Sequence, residues 1–124
     1  LSDQPHYPRA AQIEAYGAGG FRFAGMSHRG SILALPIGIW AWPPRAPAEI
    51  DEASLARVFE AKAGIDFLLI GSGSDPALLA EPVRRRLREA GLSFDTMPTR
   101  AAASTYNVLF AEGRRVAAAL IAVE

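Results

Sequence analysis

The feature that most constrains this chain is a change of hydrophobic period across "PPRAP", residues 43–47. Before it, apolar and polar residues alternate as they do in strands. After it, apolar residues recur at the three-and-four spacing of helices. "QIEAY" (12–16) and "FRFAG" (21–25) alternate, with "GAGG" (17–20) between them as a hairpin-like connection. "SILALPIGIWAW" (31–42) is a longer apolar run broken by Pro36 and Gly38, which predicts two strands or one bent strand. Trp40 and Trp42 share one face of it, as core or as an exposed recognition patch.

Beyond the prolines, Asp51 stands where a helix N-cap belongs, followed by Leu55, Val58, Phe59 and Lys62, with Gly64 to stop the helix. "IDFLLI" (65–70) reads as a buried strand. Asp75-Pro76 has the pattern of an N-cap and first helical residue, which predicts one turn at 76–80. Pro82 lies too deep for that helix to continue, so the main helix runs from about Pro82 to Ala90. Val83, Leu87 and Ala90 form its buried stripe, Arg84, Arg85, Arg86 and Arg88 its outer face, and Gly91 its stop. "LSFDTM" (92–97) is a short strand. Thr99 can cap a third helix, with Ala102, Tyr106, Leu109 and Phe110 inward and Gly113 at its end. "RRVAAALIAV" (114–123) is apolar on both faces, as a central strand is.

Neither side of the proline joint is long enough to fold comfortably alone. The expectation is one α/β domain over 11–124 with an added N-terminal β-hairpin region. An extended, poorly tied segment, 1–10, precedes it. The second half reads β–α–β–α–β–α with parallel strands; the pattern does not settle the direction of the last strand.

Composition removes several functions. There is no Cys, hence no disulfide, cysteine metal site or cysteine nucleophile. Thirteen basic side chains balance thirteen acidic ones, which argues against nucleic acid as a partner. Only His6 and His28 are present, too few for a histidine-rich metal site, and no cofactor or metal is expected. No run of eighteen apolar residues marks a membrane span. "LSDQPHYPRA" has no initiator Met and no apolar stretch of a secretory signal; with the absence of Cys this points to the cytoplasm. Peripheral membrane association and self-association stay open.

Four stretches hold candidate chemistry. In "GSGSDP", Gly71, Ser72, Gly73 and Asp75 follow a strand directly, where α/β sheets favour ligands. The loop lacks the Lys-Ser/Thr ending of a phosphate-binding loop, and Pro76 stands where a third Gly would be. It is a structural turn with a helix cap, or a functional contact. "MSHRGS" (26–31) holds Ser27, His28 and Arg29. Adjacent strand residues point oppositely, so Ser27 and His28 make a poor nucleophile–base pair, and a loop between strands is expected there. "RRRLR" (84–88) is a solvated helix face or an attractor of acidic partners. In "STYNVLF" (104–110), Thr105 and Asn107 sit on a helix with one buried side, where an Asn pins structure or meets a ligand.

Taken together, "IDFLLIGSGSDP", "TRAAASTYNVLFAEGRRVAAALI" and "GAGGFRFAGMSHRGSILALPIGIWAW" resemble a small family of unknown function. That family includes the mitochondrial complex I assembly factor 3 and the adipogenesis-associated Mth-domain protein. The resemblance runs from about Ile13 to Val123. It rests on a strand ending in Gly-x-Gly, a Thr-x-Ala-Ala start, Thr-Tyr-Asn, and Glu-Gly-Arg before the last strand. It implies a three-layer α/β fold whose central mixed, mostly parallel sheet has one strand antiparallel to the rest. Its motif residues here are Gly71, Gly73, Thr99, Ala102, Thr105, Tyr106, Asn107, Glu112, Gly113 and Arg114, none implied to be catalytic. It implies a non-enzymatic protein-binding or assembly role. The alternative is a small-ligand domain or enzyme with a pocket near 71–75, Asn107 and Arg29.

Overall fold

Two runs of alternating residues become two sets of antiparallel strands. The computed structural model describes residues 4–124, so 1–3 of the expected N-terminal segment lie outside the described residues. The first set is a three-stranded sheet of β1 (Ala15–Gly17), β2 (Gly20–Phe23) and β3 (Met26–Arg29), in that order. Two-residue turns at Ala18-Gly19 and Ala24-Gly25 join them, and all four turn residues have positive φ, the backbone of the type I′ hairpin. Met26–Arg29 is therefore a strand, not the expected loop: the tight turn folds it straight back on β2, and alanine in a position that usually takes Asn or Gly hid the signal. The first expected strand is shorter than its alternation suggested and begins at Ala15.

The second sheet has five strands in the order β5-β4-β8-β6-β7. Pro36 and Ile37 turn β4 (Ile32–Leu35) back into β5 (Gly38–Ala41), the two-strand alternative for that run. β6 (Phe67–Gly71) pairs in parallel with both β7 (Phe94–Met97) and β8 (Val116–Leu120), and β8 pairs antiparallel with β4. Four strands thus run one way and β4 alone runs against them. β8 sits at the centre, as its two-faced apolar sequence requires.

Period-2 alternation in β6 and β8 sends side chains to two cores. Leu68, Ile70, Ala117 and Ala119 face a core with Trp40, Trp42, Leu55, Val58, Val83 and Leu87. That layer holds α1 (Ala56–Glu60) and α2 (Glu81–Glu89). Leu69, Val116, Ala118 and Leu120 face the other core, with Phe21, Phe23, Ala102, Ala103 and Tyr106. That layer is α3 (Thr99–Ala111) together with the hairpin sheet. The result is a mixed α/β domain of three layers. Both Trp side chains are buried, and Trp42 Nε1 donates to the Ser54 carbonyl at 2.7 Å. Asp51 does cap its helical region, its Oδ1 accepting from the Ser54 N–H at 2.8 Å.

Three expectations fail locally. No helical turn forms at 76–80: Pro76 and Pro82 bracket an extended stretch that buries Leu79, leaves Leu78 80% exposed, and enters α2 only at Glu81. Asp75 consequently caps no helix. Thr99 does not cap α3 either; it is the first helical residue, and its side chain turns inward, away from the helix's own N–H groups. The N-terminal segment is better tied than expected. The His6 N–H donates to the Ile39 carbonyl at 2.8 Å, and Ile39 donates to the Tyr7 carbonyl at 2.9 Å, so the segment covers the edge of β5.

Candidate functional site

The loop after β6 is held by one buried hydroxyl. Thr99 Oγ1 accepts from the Gly73 N–H at 2.9 Å and donates to the Ile121 carbonyl at 2.7 Å. The Thr99 N–H donates to the Gly73 carbonyl at 2.9 Å, and the Ile121 N–H to the Gly71 carbonyl at 3.1 Å. One fully buried side chain thus ties together the ends of β6 and β8 and the start of α3. Gly71 makes room for it: a Cβ there would lie 2.8 Å from Thr99 Oγ1 and 2.9 Å from Leu120 Cδ2. Gly73 sits at φ +99°, a region L side chains rarely adopt. Ser72 is buried as well, its Oγ donating to the Asp75 carbonyl at 2.7 Å and its N–H to the Met97 carbonyl at 2.8 Å. Asp75 contributes its backbone here. Beside the loop lies a depression of about 590 Å³ bordered by Tyr16, Gly17, Gly73, Ser74, Arg100 and Glu124.

Asn107 lies two helical turns along α3 from Thr99, about 12 Å at 1.5 Å per residue, so it does not join the loop in one site. It clamps the chain entering β1. Its Oδ1 accepts from the Ile13 N–H at 2.8 Å, and its Nδ2 donates to the Ile13 carbonyl at 2.9 Å. The preceding residue, Tyr106, donates its hydroxyl to the Ala11 carbonyl at 2.8 Å, and burial pushes its pKa up to about 12. Thr105 is half-buried and directs its hydroxyl at Met97 Sδ, 3.8 Å away. The side-chain amide supplies what a missing strand neighbour would: one donor and one acceptor for one residue's backbone.

Arg29 stands apart from both groups, exposed on β3. His28, next to it, faces the other way, its ring 4.7 Å from that of His6 and 6.3 Å from that of Phe23. Its Nε2 is buried with no hydrogen-bond partner among the described residues. Burial first, and then the neighbouring His6, holds the His28 pKa below the usual imidazole range, against a raising hydrogen bond with the Ser31 backbone. Ser27 receives a hydrogen bond from Arg22 at 3.1 Å, so Ser27 and His28 lie on opposite faces, as the alternation argument expected.

The arginine run on α2 is laced with acids: Arg85 and Arg88 bond Glu81 at 2.8 and 3.0 Å, and Arg86 bonds Glu52 at 3.0 Å. The Arg85 hydrogen bond holds the Glu81 carboxyl below the usual carboxylate range. Arg115 does the same for Asp66. No helix among the described residues is long and apolar enough to cross a membrane.

With this geometry in place, the chain can be set beside known proteins. The profile of the family described as "protein of unknown function (DUF498/DUF598)" matches residues 13–121. The chain belongs to that family. It is 36% identical over 118 residues to an uncharacterized protein of Rhodobacter capsulatus, covering 95% of this chain and 90% of that one. It is 29% identical to the Mus musculus NADH dehydrogenase [ubiquinone] 1 alpha subcomplex assembly factor 3, covering 95% of this chain but 64% of that protein. It therefore spans less than two-thirds of the assembly factor. Among solved structures, an outer membrane protein of Bartonella henselae shares 50% identity with a TM-score of 0.92, over 96% of this chain and all of that one. A Mth938-like domain of Bordetella pertussis shares 30% with a TM-score of 0.78, covering 90% of this chain and 85% of that one. The fold is Mth938-like.

Sequence reasoning missed the role of Thr99. A Thr following Pro at a helix start reads as a cap, and its partners lie 26 and 22 residues away. The available signal was Gly71, a glycine at the end of a strand that has no turn to make, which marks a close approach.

Proposed function

We propose that this chain is a non-enzymatic, protein-binding assembly factor of the cytoplasm, serving a respiratory NADH dehydrogenase. The observation that carries the proposal is the relationship to NADH dehydrogenase assembly factor 3 across nearly the whole chain. The internal bonding of the candidate residues supports it: the loop and Asn107 are engaged in holding segments of this chain to one another. On this reading Gly71, Ser72, Gly73, Asp75, Thr105 and Asn107 shape the surface from beneath, and Arg29 meets the partner. A small-ligand role is the second reading, favoured by the depression beside Gly73 and Ser74.

The test is affinity capture of the tagged chain from its native host with quantitative mass spectrometry. Selective enrichment of NADH dehydrogenase subunits or their partial assemblies is expected. Recovery of none of them, alongside saturable binding of a small molecule that protects residues 71–75, would favour the second reading.

A further inference from the structure

The β5 edge of the five-stranded sheet is covered and an outward N–H of its β7 edge is taken by a side chain, whereas the outward groups of β3 are open. At β5 the N-terminal segment lies along Ile39, and a Cβ on Gly38 would stand 3.0 Å from the Tyr7 carbonyl, so the edge is shaped to receive that segment. At β7 the Thr96 N–H is taken by the Asp95 carboxylate at 2.9 Å. In the hairpin sheet the register pairs Gly20 with Arg29 and Arg22 with Ser27, while the Gly30 N–H donates to the Gly19 carbonyl. Antiparallel pairs alternate, so Arg29 and Ser27 stand at the positions whose N–H and C=O point away from β2. Both residues are exposed, and no backbone partner beyond β2 meets them among the described residues. Natural proteins protect such edges unless they use them.

Charge identifies what fits. In a chain with zero net charge, no acidic residue occurs from Ala15 to Ala48, while Arg22, Arg29 and Arg45 do. Arg22 is committed to Glu14 at 3.5 Å and to Ser27. Arg29 makes no ion pair among the described residues and stands with Ser27 on the solvent face beside the open backbone. The solvent face between them is floored by Gly17, Gly20 and Ala15, small residues that leave an open depression of about 640 Å³.

We infer that the β3 edge is a docking site for an extended acidic segment of a partner protein, which adds as a fourth strand and places carboxylates against Arg29. The inference rests on the protein-binding reading and gives that reading a surface. Main-chain bonds to Ser27 and Arg29 supply affinity, and the Arg29 guanidinium, standing apart from the Arg22–Glu14 pair, selects the charge.

The probe is a fluorescent peptide of about six residues alternating Glu and Val, with a Lys–Val peptide as control. Binding is followed by anisotropy, and the site by amide hydrogen exchange. Ser27→Pro removes one outward N–H at an edge position where proline is tolerated; Arg29→Glu reverses the charge. Far-UV circular dichroism and melting verify that both fold. The expected result is saturable binding of the acidic peptide alone, protection of the Ser27 and Arg29 amides, and about tenfold weaker binding in each variant. Equal binding of both peptides, binding untouched by Ser27→Pro, protection elsewhere, or no binding would overturn it. So would a dimer in sedimentation that Ser27→Pro dissociates, since the occupant would then be a second copy. Capture of the same NADH dehydrogenase subunits by wild type and both variants would sink the edge site while sparing the assembly role. A peptide that binds as expected to a chain that captures no subunit would do the reverse.

Discussion

Replacing Thr99 with Val keeps the shape of the side chain and removes only the hydroxyl. Two buried backbone groups, the Gly73 N–H and the Ile121 carbonyl, lose the partners they have at 2.9 and 2.7 Å. Each such group costs about 1–3 kcal/mol when left unsatisfied, and the extra methyl returns about 1, leaving a loss centred near 3 kcal/mol. A domain of this size has a total stability of about 5–15 kcal/mol, so the effect is large. Thr99→Ser is the control. It keeps both hydrogen bonds and deletes one methyl, at a cost of about 1 kcal/mol. Urea unfolding followed by the fluorescence of the buried Trp40 and Trp42 gives both numbers, and amide exchange at Gly73 gives the local effect. A Val variant within about 0.5 kcal/mol of wild type, or a Ser variant as damaged as the Val one, would refute the assignment of Thr99 as the bond that closes the loop.

Other expectations follow from the same structure. Gly71→Ala forces a methyl against Thr99 and Leu120, and should destabilise by about 1–3 kcal/mol in the same unfolding assay. Asn107→Ala frees both backbone groups of Ile13; a loss of about 1–2 kcal/mol and faster limited proteolysis near residues 11–14 are expected, with α3 intact by circular dichroism. Because the folded-state pKa of His28 lies below its unfolded value of about 6.5, the unfolded chain binds the proton first. Stability from this group is full above that pH and falls as pH drops through the folded pKa. His28→Gln should flatten the fall between about pH 7 and 5 in urea midpoints, and an unchanged slope would locate the effect elsewhere.

How much of this was legible in the sequence depended on the range of the forces involved. The period change at residues 43–47, the Gly and Pro punctuation, and the two-faced apolar run ending at Val123 are local. They gave the strands other than β3, the helices α2 and α3, and the central place of β8. Ala24 hid the second hairpin because its positive φ is imposed by the fold and not by its own preference. Asp75-Pro76 looked like a helix start because the local rule ignores what else claims the segment; the core claims Leu79, and Ser72 claims the Asp75 carbonyl. The pairing of Asn107 with Ile13 spans 94 residues, so the choice between pinning and ligand contact was beyond any local pattern. Arg29 was singled out for its chemistry; its register on β3, opposite Gly20, is visible only in the strand pairing.

The measurement that bears most directly on the proposed role is the state of the respiratory NADH dehydrogenase in the native host after deletion of this chain, resolved by native gel and membrane NADH oxidation. The account predicts that partial assemblies accumulate, the mature enzyme declines, and the intact chain restores both. It further predicts weaker restoration by Arg29→Glu. Full assembly and unchanged oxidation in the deletion strain would contradict it.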